Sequence, residues 1–270
     1  MIPAPFEYVP AESADHALQL LAEHGDDAKV LAGGHSLLPM MKLRLATPEL
    51  LIDIGRLDEL AGVTADGADL VIGATTRHAD LAASELVRAE APLLAYAAAQ
   101  VGDPQIRHRG TIGGSLSHAD PAADLPMALV ALGGSVQLQG PGGTRLVGAD
   151  DFFQGFFETA LQPDELLTAV RVPRRPGVPW GYQKFVRRSN DWAIVGVAAA
   201  DGRIALASMG PKPLRALAAE EALAAGASPA EAAALAADGT SPGEDMHADR
   251  EYRRHLARVL TRRALLHETG

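Results

Sequence analysis

Two Gly-Gly pairs constrain the fold of this chain more than any other feature of its sequence. The first lies in segment 32–36 (AGGHS), directly after a short apolar run, and the second lies in segment 109–115 (RGTIGGS). Because glycine has no Cβ, the backbone at each pair can turn sharply and approach a neighbouring group closely. We therefore expect two tight turns in separate α/β segments, each leaving main-chain atoms accessible to a ligand.

Each pair is compatible with a plain structural role as well as with anion binding. Successive amides in a glycine-rich turn can point at an anion, and Ser36 adds a hydroxyl donor. Taken alone, the first motif is more often a simple turn, and the second is compatible with a bulged strand. Neither fits G-x-G-x-x-G or G-x-x-x-x-G-K-[ST], so neither a Rossmann fingerprint nor a P-loop is supported. Together, the two pairs are compatible with one diphosphate clamped between two lobes.

The pattern of apolar residues up to residue 175 predicts two mixed α/β segments. Residues 13–24 are predicted to form a helix capped by Ser13 or Asp15, and 29–32 and 50–54 to form buried strands. The segment 56–175 is predicted to be α+β. Its predicted helices are 93–101 and 124–132, and its predicted strands are 70–73, 111–117 (interrupted by glycine), 135–138, 144–147 and 166–172.

Three prolines between residues 173 and 179 predict a linker, since proline denies the backbone its regular hydrogen bonds. Beyond it, strands over 192–199 and 203–207 are predicted to flank a hairpin turn at Asp201-Gly202. From residue 214 the composition predicts helices, the last over 247–267. The arginines of that helix are interpreted mostly as a solvated face, with a basic stripe that faces a partner as the alternative: Arg253, Arg254, Arg258, Arg262 and Arg263. The predicted domains are 1–55, 56–175 and 176–270.

Charge balance and an absent residue type exclude several classes of protein. The 270 residues include no cysteine, which excludes disulfides, cysteine-ligated zinc, iron–sulfur clusters and thiol nucleophiles in this chain. A formal net charge of −10 disfavours nucleic-acid binding. The first residues lack the features of a signal peptide, and no apolar run is long enough to cross a bilayer. We expect a cytoplasmic protein with no transmembrane segment.

Two further segments carry polar side chains that are compatible with more than one role. His118, Asp120 and Asp124 could hold a metal, but such clusters are mostly loop and cap residues, and Asp124 is a candidate N-cap. A Ser-His-Asp relay is not expected from neighbours in one short loop. On their own, Lys184 and Trp192 favour structural roles, at the surface and in the core respectively.

In this order, the segments resemble the flavin-binding medium subunit of molybdenum hydroxylases, a family that includes carbon monoxide dehydrogenase medium subunits and the FAD domain of xanthine dehydrogenase. The matching motifs are AGGHSLLPMMKLRLATPELLIDI (32–54), GATTRHADL (73–81), QIRHRGTIGGSLSHADPAADLP (105–126) and KFVRRSNDWAIVGVAAA (184–200). PLRALAAEEAL (213–223) and YRRHLARVLTRRAL (252–265) also resemble it. The resemblance covers essentially the whole chain.

The resemblance implies an α+β fold in which two N-terminal lobes, of the vanillyl-alcohol-oxidase type, hold noncovalent FAD. A C-terminal domain of antiparallel sheet and helices closes over it. Segments 32–36 and 111–115 match the two diphosphate loops of the family. Asp124 matches an acidic residue that contacts a sugar or ribityl hydroxyl, and Trp192 matches an aromatic residue beside the isoalloxazine. The implied cofactor-binding residues are Ala32, Gly33, Gly34, His35, Ser36, Thr111, Ile112, Gly113, Gly114, Ser115, Asp124, Leu167, Lys184 and Trp192. No catalytic acid or base and no metal ligand is implied.

Three features depart from the family pattern. Ser115 stands where many relatives have Asn, and it keeps a hydrogen-bonding group with a shorter reach. Trp192 replaces a more usual Tyr. Segment 198–208 is shorter than in typical relatives, which leaves the number of strands in the C-terminal sheet open.

The family's activity implies that this chain transfers electrons through FAD. The resemblance implies a large partner subunit that holds the molybdenum cofactor and a small partner subunit that holds [2Fe–2S] clusters. It also implies that the complete assembly is a dimer of heterotrimers. Reduced flavin would pass electrons to a quinone, NAD or oxygen. The alternatives are a stand-alone noncovalent FAD reductase or oxidase of related fold, and a scaffold subunit without flavin. The oxidised substrate (carbon monoxide, a heterocycle, a purine or an aldehyde) binds another chain in this family.

Overall fold

The computed structural model describes residues 2–267 and contains sheets of three, five, four and two strands. The strands are β1 (Glu7–Pro10), β2 (Ala28–Leu31), β3 (Leu50–Asp53), β4 (Val63–Asp66), β5 (Asp69–Gly73), β6 (Ser135–Gly140), β7 (Gly143–Gly148), β8 (Phe153–Gly155), β9 (Glu158–Thr159), β10 (Leu166–Pro173), β11 (Trp180–Phe185), β12 (Val195–Ala200), β13 (Arg203–Ala207) and β14 (Leu214–Arg215). The helices are α1 (Ala14–His24), α2 (Leu37–Lys42), α3 (His78–Ala83), α4 (Glu85–Glu90), α5 (Pro92–Ala99), α6 (Pro104–Arg107), α7 (Ile112–His118), α8 (Asp124–Leu132), α9 (Ala149–Phe152), α10 (Leu217–Ala224), α11 (Pro229–Ala234) and α12 (Arg250–Leu265).

The first sheet is small and parallel, with strand order β1-β3-β2. Its central strand is apolar on both faces, as parallel sheets require, and Leu50, Leu51 and Ile52 are all buried. The predicted helix over 13–24 is confirmed as α1, where the Ser13 hydroxyl accepts a hydrogen bond from the His16 amide at 3.1 Å. Because β2 runs directly into Gly33-Gly34, this sheet fixes where the first glycine loop lies.

The second sheet is antiparallel, with strand order β4-β5-β10-β6-β7, and it shares a hydrophobic core with helices α3, α4, α5, α7 and α8. All nine residues of α8 are buried, because the helix packs against α5 and against strands β12 and β13 of the four-stranded sheet. A register shift interrupts the pairing of β10 with β6 between Leu167 and Ala169. This irregularity lies where β10 borders the cavity described below.

The third sheet is antiparallel, with strand order β11-β12-β13-β14, and α12 packs on it. The predicted hairpin at Asp201-Gly202 is confirmed between β12 and β13. A Cβ on Gly181 would collide with the backbone of Ala264, so α12 lies directly against strand β11. The short segment 198–208 left the number of strands in the C-terminal sheet open, and the structure has four strands there.

The predicted strand over 111–117 is wrong, because this segment forms helix α7. The Thr111 hydroxyl accepts a hydrogen bond from the Gly114 amide at 3.1 Å and so caps the helix. A Cβ on Gly113 would lie 2.7 Å from both the Cβ and the carbonyl oxygen of Ala74. The absence of a side chain at Gly113 therefore permits helix α7 to lie against the end of β5. Packing thus overrides a local sequence pattern that is typical of a strand.

Several interpretations of single residues are also wrong. Asp124 does not cap α8: Ala123 occupies the cap position, and Asp124 is the first helical residue with its carboxyl turned into a buried network. Lys184 is buried in that network and is not a surface residue. Trp192 lies in the loop before β12 and is 55% exposed, so it is not a core residue.

The C-terminal helix differs from the prediction in its start and in one arginine. It begins at Arg250, because the Asp249 carboxylate accepts a hydrogen bond from the Tyr252 amide at 2.7 Å and caps it. Arg253 is buried and is not part of a solvated face. Its guanidinium donates to the Ile194 carbonyl and to the Asp245 carboxylate, which compensates its removal from water. Within residues 2–267, no helix combines the length and apolar character needed to span a bilayer.

Candidate functional site

A cavity of about 900 Å³ lies where the first sheet, helix α7, strand β10 and strand β11 meet. Of the fourteen cofactor-binding residues that the resemblance implies, thirteen line it. They are Ala32, Gly33, Gly34, His35, Ser36, Thr111, Gly113, Gly114, Ser115, Asp124, Leu167, Lys184 and Trp192. Ile112 is the exception, since its side chain is buried in the hydrophobic core beside the cavity.

The first glycine loop presents main-chain donors that the protein itself does not use. Gly34 has a φ of +78°, which other residues rarely adopt, and the chain then enters helix α2. Within residues 2–267, none of the amide groups of residues 33–36 donates a hydrogen bond to a protein acceptor. Four successive amides at the wall of a cavity form a nest suited to an anion such as a diphosphate.

The second glycine loop, which leads into helix α7, differs because the amides of residues 112–115 are already bonded within the protein. The Ile112 amide donates to the Thr76 carbonyl at 3.0 Å, and the Gly113 amide donates to the Ala74 carbonyl at 2.8 Å. The Gly114 amide is held by the Thr111 hydroxyl. This loop therefore offers a surface without side chains and the hydroxyl of Ser115, rather than a second set of unused amides.

The two loops touch each other at Gly33. A Cβ on Gly33 would lie 2.5 Å from the Arg109 carbonyl oxygen and 2.8 Å from the Gly110 Cα. Arg77 holds the same carbonyl from the other side: its guanidinium donates to Arg109 and, at 3.0 Å, to the Gly55 carbonyl. The cradle thus depends on two glycine loops in direct backbone contact, and the sequence alone shows neither the contact nor the role of Arg77.

A buried acid–base pair forms another part of the wall. The Asp124 Oδ2 accepts a hydrogen bond from the Lys184 ammonium at 3.0 Å, and its Oδ1 accepts one from the Tyr182 hydroxyl. Lys184 also donates to the Gln100 carbonyl at 3.1 Å. Burial raises the pKa of the Asp124 carboxyl, and the nearby Lys184 charge opposes that rise. Burial, followed by the Asp124 charge, raises the pKa of the Tyr182 phenol well above its ordinary value.

Trp192 marks the open side of the cavity. It follows Asn190 and Asp191 in the loop between β11 and β12, and all three residues line the cavity. An exposed indole at a cavity mouth presents a flat apolar surface to whatever occupies the space behind it. Leu167, which is buried at the register shift of β10, lines the interior.

Sequence reasoning missed three contributors to this cavity. Tyr182 lies two residues before Lys184 and holds Asp124, and only strand periodicity could have indicated that both face the same side. His78 lines the cavity from the start of α3. The third contributor is segment 154–166, whose Phe157 ring lies 5.0 Å from the ring of His118. No local motif distinguishes His78 or this segment.

The metal interpretation of His118, Asp120 and Asp124 finds no support in the geometry. Among the described residues, no group of three or more His, Asp or Glu side chains could hold a metal ion. Asp120 accepts a hydrogen bond from the Ala122 amide at 2.8 Å, as loop aspartates commonly do. Burial lowers the pKa of His118, whose ring contacts Phe157.

The fold brings two glycine-rich segments to one cavity beside a C-terminal sheet-and-helix domain, an arrangement that suits a nucleotide cofactor. Residues 4–175 match the family described as "FAD binding domain in molybdopterin dehydrogenase", and residues 180–267 match "CO dehydrogenase flavoprotein C-terminal domain". The chain therefore belongs to the family of FAD-binding medium subunits of molybdenum hydroxylases, and the predicted fold class is confirmed. The boundary between the two N-terminal lobes at residue 55 stays a prediction.

Similar proteins cover nearly the whole length of the chain. The carbon monoxide dehydrogenase medium chain of Hydrogenophaga pseudoflava is 43% identical, over 98% of this chain and 97% of that one. Subunit alpha of the 6-hydroxypseudooxynicotine dehydrogenase complex of Paenarthrobacter nicotinovorans is 39% identical, over 98% and 95%. A solved structure of carbon monoxide dehydrogenase from Hydrogenophaga pseudoflava superposes with a TM-score of 0.94, at 46% identity and 98% coverage of both chains. These relatives are named for different substrates.

Proposed function

We propose that this chain is the electron-transfer flavoprotein subunit of a molybdenum hydroxylase complex. It would accept electrons from [2Fe–2S] clusters of a partner subunit and pass them to an external acceptor. The observation that carries the proposal is the cavity wall at residues 33–36, where four unused amides meet a backbone surface that a Cβ would fill. Such a wall fits an FAD diphosphate, and FAD binding is the property that defines the family.

The protein's own groups would bind and orient the cofactor rather than react. The amides of 33–36 would hold the diphosphate, and the glycines of α7 would let it approach the backbone. Asp124, held by Lys184 and Tyr182, would accept hydrogen bonds from sugar or ribityl hydroxyls. When bound, FAD supplies the ability to exchange electrons singly with metal clusters and in pairs with an acceptor.

We propose that this binding is noncovalent. The chain has no cysteine, and His35 lies in the loop assigned to the diphosphate. Acid precipitation of the purified protein should leave the yellow flavin in the supernatant. Flavin that stays with the precipitate would contradict the noncovalent assignment.

The partners follow from what this chain lacks. With no cysteine, it cannot supply thiolates to an iron–sulfur cluster, so the clusters would be on a small partner subunit and the molybdenum cofactor on a large one. Relatives are named as medium chains or subunits of complexes, which fits such a division. We propose a dimer of heterotrimers as the complete assembly.

Anaerobic flavin reduction tests the proposed electron path. The purified assembly is mixed in turn with carbon monoxide, a nicotine-type heterocycle, a purine and an aldehyde, and flavin absorbance near 450 nm is followed with cluster absorbance. We expect one substrate class to bleach the clusters and the flavin together, and removal of the partner subunits to abolish the bleaching. If no substrate class bleaches the flavin of the assembly while NADH reduces the isolated chain rapidly, the protein is a stand-alone flavin reductase.

Gly114→Leu tests whether the second loop must be free of side chains. A Cβ at Gly114 would lie 2.8 Å from the Thr111 hydroxyl, and a leucine there would extend beside a cavity that this glycine lines. Leucine favours a helix over glycine by about 1 kcal/mol, so the chain should still fold. We expect the purified variant to lose its flavin. Gly243→Leu is the control, since no neighbour lies within 4 Å of its Cβ position. Unchanged flavin stoichiometry in Gly114→Leu would contradict the diphosphate assignment.

A further inference from the structure

His78 is a buried histidine in the cavity wall with no assigned role. It opens helix α3, is 4% exposed and lines the cavity together with Gly110 and Thr111. Its backbone amide donates to the Gly110 carbonyl at 3.1 Å. A Cβ on Gly110 would lie 2.7 Å from both Cδ2 and Nε2 of the imidazole. The Nε2 edge of the ring therefore faces the start of the second glycine loop.

The other ring nitrogen determines which form of His78 can exist. The Nδ1 atom is buried and has no hydrogen-bond partner within the described residues. A proton on Nδ1 would create a buried donor without an acceptor, in the imidazolium ion and in one neutral tautomer alike. An unpaired acceptor is tolerated better than an unpaired N–H in a buried site. The remaining form is the neutral imidazole with its proton on Nε2.

The surroundings of His78 disfavour its charged form as well. Burial, followed by the positive charges of His35, Arg77 and Arg107, lowers the pKa of His78 to about 4. The side chain is therefore neutral throughout the range in which most enzymes work. It carries one donor, at the edge that faces Gly110.

At the second loop, a donor of this kind would add to the hydroxyl of Ser115. Its amides at Ile112, Gly113 and Gly114 are bonded within the protein, so they cannot hold an anion without breaking those bonds. Diphosphate oxygens accept hydrogen bonds and donate none. We propose that His78 is a cofactor-binding residue that donates its Nε2 hydrogen to the diphosphate of FAD as a neutral imidazole. This inference rests on the diphosphate position assigned above.

Two substitutions separate the roles of the ring nitrogens. Glutamine places an amide near the position of Nε2, whereas asparagine reaches only the position of Nδ1. The FAD-depleted assembly is titrated with oxidised FAD, and the dissociation constant is measured from flavin fluorescence. We expect H78Q to bind within about threefold of the unchanged protein and H78N to bind at least about tenfold more weakly, the loss of one good hydrogen bond. H108N, at an exposed residue outside the cavity, should bind like the unchanged protein.

The tautomer is measured separately. The full chain is labelled with ¹⁵N-histidine, the His78 signals are assigned by their loss in H78Q, and the spectra are recorded from pH 6 to 8. We expect one protonated nitrogen, Nε2, at every pH.

An imidazolium ion or an Nδ1–H tautomer overturns the proposal, and so does tight FAD binding by a folded H78N. If H78N does not fold, the FAD affinity of H78Q and the observed tautomer of His78 decide whether the proposal holds. Because no electron donor is present, the outcome is independent of electron transfer, and FAD binding by H108N shows that the flavin site itself stands.

Discussion

Gly33→Ala is expected to weaken FAD binding and to destabilise the fold, although it adds a single methyl group. The new Cβ would lie 2.5 Å from the Arg109 carbonyl oxygen and 2.8 Å from the Gly110 Cα, and both neighbours are backbone. Rotating a side chain cannot relieve such a contact, so the two glycine loops must separate. Overpacking of this kind costs about 1–3 kcal/mol. We expect the affinity for FAD to fall at least about tenfold, as measured by flavin fluorescence.

The matched control for this change is Gly142→Ala. The Cβ position of Gly142 has no neighbour within 4 Å, and its φ lies outside the left-handed region. This variant should keep both its FAD content and its midpoint in urea unfolding. If Gly33→Ala also keeps its flavin, the contact between the loops is not part of the cofactor site.

Lys184→Met is expected to lower the free energy of unfolding by about 3–5 kcal/mol, because it leaves the buried Asp124 carboxylate without its positive partner. Both side chains of this pair are less than 10% exposed. Urea unfolding of the full chain measures the loss. Lys212→Met removes a lysine that donates to the Phe153 carbonyl and forms no ion pair within residues 2–267, so it should cost less. Equal losses in the two variants would contradict the pairing.

The destabilisation by Lys184→Met should depend on pH. Burial already raises the pKa of Asp124, and removing the Lys184 charge removes an effect that lowers it. In the variant, the folded protein therefore keeps a proton on Asp124 that the unfolded chain, with a pKa near 3.8, releases. A group of this kind loses its contribution to stability as the pH rises. We expect a larger loss at pH 8 than at pH 5, and a double variant with Asp124→Leu should remove the difference.

Local sequence patterns predicted most of the regular elements because their causes are local. The apolar spacing and the Ser13 cap predicted α1, and Asp201-Gly202 predicted the hairpin of β12 and β13. The pattern failed where packing overrides local preference. Segment 111–117 resembles a strand interrupted by glycine, yet it forms α7 because Gly113 fits against Ala74 and Thr111 caps the helix.

In the candidate site, too, sequence indicated the residues in local motifs and missed those whose role depends on distant contacts. The resemblance to the family implied fourteen site residues, and the fold brings thirteen of them to one cavity. Tyr182 and His78 were missed because their roles depend on neighbours distant in sequence. The Tyr182 hydroxyl donates a hydrogen bond to Asp124, 58 positions away in sequence. The ring of His78, in helix α3, lies beside Gly110. No pattern within a short window reports such contacts.

The sequence by itself determined the family, the positions of the two glycine pairs and the absence of any cysteine ligand for a cluster. These properties depend on residue type and order along the chain. Only the tertiary structure decided that the two glycine loops are unequal: the amides of 33–36 are unused, whereas those of 112–114 are bonded within the protein. The physical reason is that a donor is available to a ligand only when folding leaves it without an acceptor. In segment 112–114, the acceptors Thr76, Ala74 and Thr111 already occupy the amides, so these donors are not available to a ligand.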